Sequence, residues 1–301
     1  MAVSVSKTAI TRVNASDPST SSKTLIDILK RDGGVIVENL IARELADQIR
    51  KDLRPHFDSD IPDKYGFFPK TTRRATGLLG VSDACVELAC NKLYTDVANE
   101  MVSSSHTMWR GDHQETVSGK PIISSTVGFR VNPGGKQQVL HRDDKYDMAS
   151  HDYHPQDKEL PVMIGCVTAL TKTTKENGAT IAIPGSHLWG PERRPLDKEA
   201  VPAELEIGDA LIFLGNLYHA GGANITRDEY RETVGIFLCK PTLRPAENFF
   251  LEIPLERVRQ MRPQAQRLLG YSVLEPGVGF MNYQDPMRVL FGVEDEETLN
   301  M

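Results

Sequence analysis

The sequence predicts a mainly β protein with helical cover, an α+β chain built around a closed or sandwiched antiparallel core. Three observations carry that prediction. Helix signals dominate the chain up to about residue 103, at least six strand signals follow residue 120, and helical periodicity returns only over 255–269. Turn residues punctuate the strand region at short intervals, as an antiparallel core requires.

Taken in order, residues 1–20 are rich in Ser, Thr and Ala and read as a flexible N-terminal arm, leaving 21–301 as a single domain. Ser21 and Ser22 offer an N-cap for a short helix over 23–30, which Gly33-Gly34 ends before the strand 35–37. Residues 42–56 place Leu45, Ile49 and Leu53 at four-residue spacing, the stripe of an amphipathic helix. Pro62, Gly66, Pro69, Gly77 and Gly80 make 57–83 irregular, and a loop of that length in a compact domain is more often functional than idle. A further helix is expected over about 84–103.

Strands follow at 122–131 and 138–143, with the turn Asn132-Pro133-Gly134-Gly135 between them. The near-continuous apolar run 162–170 is a strand covered on both faces. Residues 180–183, 210–214 and 233–238 complete the set.

Composition excludes several functions. An apolar share of 40% and a charged share of 25% are those of a soluble globular protein. The net charge of −6, with basic residues scattered, argues against nucleic acid and against anionic membranes as partners. No segment approaches the ~20 apolar residues that a membrane span needs, and Met1 to Lys7 lacks the apolar stretch of a signal peptide. Cys85, Cys90, Cys166 and Cys239 form no CxxC pair and are expected to be reduced core thiols. The cytoplasm is the expected compartment.

His141-Arg142-Asp143 is the most informative motif. In an extended strand residues i and i+2 share a face, so His141 and Asp143 can reach one ion while Arg142 points away. His219, at a strand end before Gly221-Gly222, is placed to supply a third ligand. Two imidazoles and a carboxylate form the facial triad of Fe(II) oxygenases, which leaves positions open for cosubstrate and dioxygen. Each residue has a plain alternative: a strand histidine beside a hydrogen-bonded carboxylate, and a histidine capping a turn. Arg231 opens the following strand. Aimed inward it needs an anion, and its planar fork suits the far carboxylate of 2-oxoglutarate; aimed outward it pairs with Glu229, Glu232 or another acidic residue as a surface salt bridge. Thr180 can offer a hydroxyl to an anion, although Thr is also a good strand former. His187, after a Pro-Gly-Ser turn, is read as structural.

The motifs His141-Arg142-Asp143, Glu176-Asn177-Gly178-Ala179-Thr180, Ile183-Pro184-Gly185-Ser186-His187 and Tyr218-His219-Ala220-Gly221-Gly222, followed by Arg231, resemble in that order the phytanoyl-CoA dioxygenase-like branch of Fe(II)/2-oxoglutarate-dependent oxygenases. Within it the chain is similar to fungal enzymes that tailor meroterpenoids and indole alkaloids. The resemblance runs from about Thr24 to Leu290 and implies a double-stranded β-helix, or jelly-roll, core. It implies that His141, Asp143 and His219 bind iron, and that Gln138, Thr180 and Arg231 contact 2-oxoglutarate. Arg74, with Arg73 as the alternative, would be a further cosubstrate contact.

It implies oxidation of an unactivated C–H bond with dioxygen, 2-oxoglutarate leaving as succinate and carbon dioxide, and a homodimeric assembly. Hydroxylation, desaturation, rearrangement and endoperoxide formation all remain open; halogenation is disfavoured because Asp143 fills the position a halide would need. Phe67, Phe68, Leu79, Trp109 and Met281 are candidate walls for a hydrophobic polycyclic substrate, with core packing as the alternative for each. The segment 109–120 is longer than the resemblance predicts. Two other functions compete: a 2-hydroxylase of acyl-CoA thioesters, and a non-catalytic jelly-roll binding protein. A CoA substrate calls for a cluster of Lys and Arg that is not evident near the motifs, and a pure binder has no need of an intact triad together with Arg231.

Overall fold

The computed structural model describes residues 9–61, 70–144 and 161–299. Two sheets face one another, as a jelly roll requires. The larger has seven strands in the order β1-β2-β10-β7-β12-β6-β3: β1 Arg12–Asn14, β2 Gly34–Glu38, β3 Thr72–Ala75, β6 Ile122–Val131, β7 Met163–Ala169, β10 Ala210–Leu214 and β12 Arg231–Cys239. The smaller runs β11-β8-β9, from β8 Thr180–Ala182, β9 Val201–Pro202 and β11 His219–Gly221. All pairs but β1 with β2 are antiparallel.

Side-chain alternation divides the large sheet into two faces. On β10, Ala210, Ile212 and Leu214 point to the helices, whereas Leu211 and Phe213 point into the roll with Ile36, Ala169, Ala182 and Leu217. That double cover is why this strand is apolar at every position. The helical face receives α1 Ser22–Asp32, α2 Arg43–Ser59, α3 Leu78–Val81, α4 Asp83–Ala89 and α5 Lys92–Val102. Leu53 and Phe57 of α2 lie on Gly128 of β6, where an added Cβ would stand 3.0 Å from the Phe57 ring. Tyr94 of α5 is fully buried, and its hydroxyl reaches the carbonyls of Ile164 and Ile236, bracing α5 against β7 and β12.

Several elements differ from the sequence prediction, each for a local reason. Arg12–Asn14, within the stretch read as a flexible arm, forms β1 beside β2, and Arg12 bonds Glu38. The helix expected over 84–103 is two: Asn91 breaks it and caps α5 by accepting from the Tyr94 amide. The irregular 57–83 contains the end of α2, β3 and α3, while 62–69 lie outside the described residues. The strand expected over 138–143 is reduced to a single bridge between His141 and His219, after which Asp143 begins a helical turn. The segment 109–120 belongs to a two-stranded hairpin, β4 Ser104–Arg110 and β5 His113–Gly119, closed by Gly111 at positive φ. The tail carries four short helices: α6 Phe249–Glu252, α7 Leu255–Arg259, α8 Pro263–Leu268, with a Pro at its start separating it from α7, and α9 Pro286–Phe291. All four cysteines are buried and unpaired with one another, as expected. Among the described residues no helix is long and apolar enough to cross a membrane.

Candidate functional site

His141, Asp143 and His219 come together where the small sheet meets the end of β7. Their ligand atoms all lie within 4.8 Å of one another. Asp143 sits between the imidazoles, with Oδ1 3.6 Å from His141 Nε2 and Oδ2 3.5 Å from His219 Nε2. Backbone pairing sets this geometry: His141 and His219 exchange amide–carbonyl bonds, and the Asp143 amide donates to the Gly215 carbonyl.

Each histidine is fixed in one tautomer. His141 Nδ1 lies 2.7 Å from the Val139 carbonyl and His219 Nδ1 lies 3.0 Å from that of Leu217. A carbonyl can only accept, so both Nδ1 atoms carry the proton and both Nε2 atoms keep a lone pair for a metal. Burial lowers the pKa of His219, so its imidazole is neutral, as a ligand must be. Phe213 packs behind it, ring centroids 4.5 Å apart. The donor set and these orienting bonds fit a divalent iron.

Arg142 turns away from the cluster, as expected. Its guanidinium lies over the Tyr218 ring and donates to the carbonyls of Ser186 and Trp189, pinning the Pro-Gly-Ser turn. His187 is buried against the Lys30 carbonyl and Gly33 and takes no part in the cluster.

Arg231 is the other feature of note. It is 4% exposed, and among the described residues its Nε has no hydrogen-bond partner, while Nη1 lies 3.5 Å from Thr180 Oγ1. Burial lowers its pKa to about 10, so it stays cationic at neutral pH. The alternative of pairing with its acidic neighbours does not hold. Glu232 points to the opposite face and is held by Arg50 and Arg130, and Glu229 accepts from Asn177. A buried guanidinium facing the interior of the roll, with no carboxylate partner among the described residues, is a candidate site for an anion.

The sheet register also sorts the two candidate arginines of β3. Arg74 pairs with Phe129, which pairs with Thr233, so Arg74 shares the inner face with Arg231. Arg73 falls on the helical face. The Arg74 guanidinium is bound to Asp60, which also accepts from the Arg74 amide at 2.9 Å. Gln138 clamps β11 instead of pointing free: its amide donates to the Gly221 carbonyl and its Oε1 accepts from the Gly221 amide.

The expected substrate wall is not assembled from the residues proposed for it. Leu79 is fully buried in the core between helices and sheet. Trp109 is 68% exposed on the hairpin, and Met281 is exposed in a C-terminal turn. Leu79 is thus corrected to a core packing position, while Trp109 and Met281 stand on the surface of the hairpin and of the C-terminal turn. Phe67 and Phe68 lie outside the described residues. Sequence reasoning also missed Thr233, whose buried Oγ1 has no partner two residues from Arg231 on the same face. The signal was available as period-2 alternation from Arg231.

Comparison with known proteins agrees with this geometry. The phytanoyl-CoA dioxygenase (PhyH) family matches residues 29–233. The chain belongs to this family of iron- and 2-oxoglutarate-dependent oxygenases. It is 35% identical to the dioxygenase himG of Aspergillus japonicus, over 88% of this chain and 86% of that one. It is 36% identical to the dioxygenase peniF of Penicillium patulum, over 90% and 89%. In fold it resembles HygX of Streptomyces hygroscopicus, solved with nickel and 2-oxoglutarate bound, with a TM-score of 0.53 at 16% identity over 74% of this chain and 89% of that one. The enzyme is thus a dioxygenase with a double-stranded β-helix core.

Proposed function

We propose that the protein holds Fe(II) through His141, Asp143 and His219, seats 2-oxoglutarate with its far carboxylate on Arg231 and Thr180, and oxidises a C–H bond of a small hydrophobic secondary metabolite. The observation that carries this reading is Arg231: a buried cation with no anionic partner among the described residues, in a roll that also contains a His-Asp-His cluster. A dicarboxylate answers both at once, one end chelating metal and the other neutralising the guanidinium. Bound there, iron and 2-oxoglutarate would activate dioxygen, the oxidant, against an unactivated C–H bond, with succinate and carbon dioxide as coproducts. The chain's own groups orient and exclude. Nδ1–H bonds hold both imidazoles, Phe213 packs behind His219, and Thr233, buried on the same face of β12 as Arg231, is a further candidate contact for the anion.

The dioxygenase relatives from Aspergillus and Penicillium support a fungal tailoring role, and a meroterpenoid-like polycycle is the substrate class we assign. Gln138 and Arg74 are proposed as further cosubstrate contacts, Arg74 by exchanging Asp60 for the ligand. A homodimer is the proposed assembly, expected as twice the chain mass in light scattering.

The deciding experiment is anaerobic titration of Fe(II)-loaded protein with 2-oxoglutarate. A weak visible metal-to-ligand band is expected in the wild type and none in His141→Ala or Asp143→Ala that still fold. A band that survives both substitutions rejects the site.

A further inference from the structure

Arg142 is flanked on both sides by members of the metal cluster, His141 and Asp143. Alternation sends it to the opposite side of the segment, where it is 1% exposed and among the largest fully buried side chains. Tyr218 is likewise the chain neighbour of His219. Two layers result. In one, the imidazoles of His141 and His219 approach to 4.6 Å between ring centroids. Behind it, the Arg142 guanidinium lies 4.2 Å from the centre of the Tyr218 ring. The bridge between His141 and His219 is the backbone that joins the two layers.

A turn locks the outer layer. Nη2 of Arg142 donates to the carbonyls of Ser186 and Trp189, each at 2.8 Å. From the other segment, the Tyr218 amide donates to Ser186 Oγ at 2.9 Å, and the Ile183 amide donates to the Tyr218 carbonyl. Ser186 is therefore held twice. Its carbonyl is bound by the segment that carries His141 and Asp143, and its hydroxyl by the segment that carries His219. The turn is in turn anchored to the end of α1: the Gly185 amide donates to the Asp32 carbonyl at 2.7 Å, and His187 Nε2 lies 3.2 Å from the Lys30 carbonyl. A buried cation carries a desolvation cost that is offset while its acceptors stay in place. Arg142 is thus confined to one position, and so is the backbone from which two of the ligands project.

We infer that Arg142 is a positioning residue for the metal. Through Ser186 it fixes the spacing between the His141–Asp143 pair and His219, and so sets the affinity and geometry of the centre without touching it. The inference rests on the metal-site reading above. Groups behind a ligand set typically change metal affinity by about 10- to 100-fold, and here one side chain braces both ligand-bearing segments.

The test measures the Zn(II) affinity of the metal-free protein by competition with a chromophoric chelator. Arg142→Met keeps an unbranched side chain but loses the guanidinium fork, and is expected to bind Zn(II) at least about tenfold more weakly. Ser186→Ala leaves Arg142 intact and removes the hydroxyl that receives the Tyr218 amide; a loss of at least about threefold is expected. Tyr94→Phe, which loses buried hydrogen bonds between α5 and the large sheet, should leave the affinity unchanged. The Co(II) adduct of Arg142→Met should also show displaced visible bands, a change in ligand geometry that lower stability alone does not produce. Wild-type Zn(II) affinity in a folded Arg142→Met, or a loss in Tyr94→Phe as large as in Arg142→Met, overturns the inference. If Arg142→Met does not fold, Ser186→Ala decides, and a loss below threefold overturns it. A wild type that binds no Zn(II) and gives no Fe(II)–2-oxoglutarate band overturns the metal-site reading instead, so the two failures are distinguishable.

Discussion

Arg231, proposed to seat 2-oxoglutarate, is expected to hold the protein below its stability optimum for the sake of that ligand. Removing a buried cation that has no anionic partner among the described residues should stabilise the unliganded protein, whereas the same change should disable cosubstrate binding. Arg231→Met is therefore expected to raise the melting temperature without ligand and to weaken 2-oxoglutarate by about 2–4 kcal/mol, roughly 30-fold to 1000-fold. Calorimetry with and without 2-oxoglutarate checks both halves; a variant that melts lower and binds normally refutes them.

Glu247 carries a different residue-scale signature. Its carboxylate accepts from the Gly77 amide and from the amide and hydroxyl of Thr126, tying the start of α3 to β6. Burial raises its pKa from 4.5 to about 7, with Glu252 adding repulsion. A raised carboxyl pKa favours the protonated form in the fold, so its stabilisation is full below about pH 4.5 and is lost as pH rises through about 7. Glu247→Gln should flatten that limb, removing about 2 kcal/mol of the difference between pH 5 and pH 8 in urea unfolding.

Among the elements, α5 best illustrates how local chemistry overrides periodicity. The apolar pattern from 84 to 103 is continuous enough to read as one helix, yet Asn91 accepts the Tyr94 amide and donates to the Leu40 carbonyl, so the chain restarts there. Asn91→Ala is expected to cost about 1 kcal/mol in chemical denaturation. Tyr94→Phe should cost about 1–3 kcal/mol, since it leaves two buried strand carbonyls without that donor. A cost near zero would show that these carbonyls are satisfied by the sheet alone. The hairpin β4–β5 is the opposite case. Its residues were visible as an unusually long segment, but Thr107 facing Thr116 and Ser105 facing Ser118 are pairings that no hydrophobic period announces.

At the scale of the whole molecule, the site is a product of closure. His141 and His219 sit in different segments, meet across a single bridge, and are held there only while the two sheets face one another. Ligand and fold should therefore be linked. Zn(II) with 2-oxoglutarate at a hundredfold excess over its Kd should stabilise the protein by about 2.7 kcal/mol, roughly 5 °C in melting temperature. His141→Ala should abolish that shift while leaving the unliganded melting temperature near that of the wild type, His141 being part-exposed.

Residue types and their order were enough to give the class of fold and to single out His141, Asp143, His219 and Arg231 as the candidate site residues. Ligand chemistry demands particular side chains, and strand periodicity of two decides which of them share a face. Linear order could not say that Arg231 lacks an acidic partner, that Arg74 and not Arg73 looks inward, or that Leu79 belongs to the helical core. Those depend on register between strands distant in sequence and on which surface each loop finds to cover.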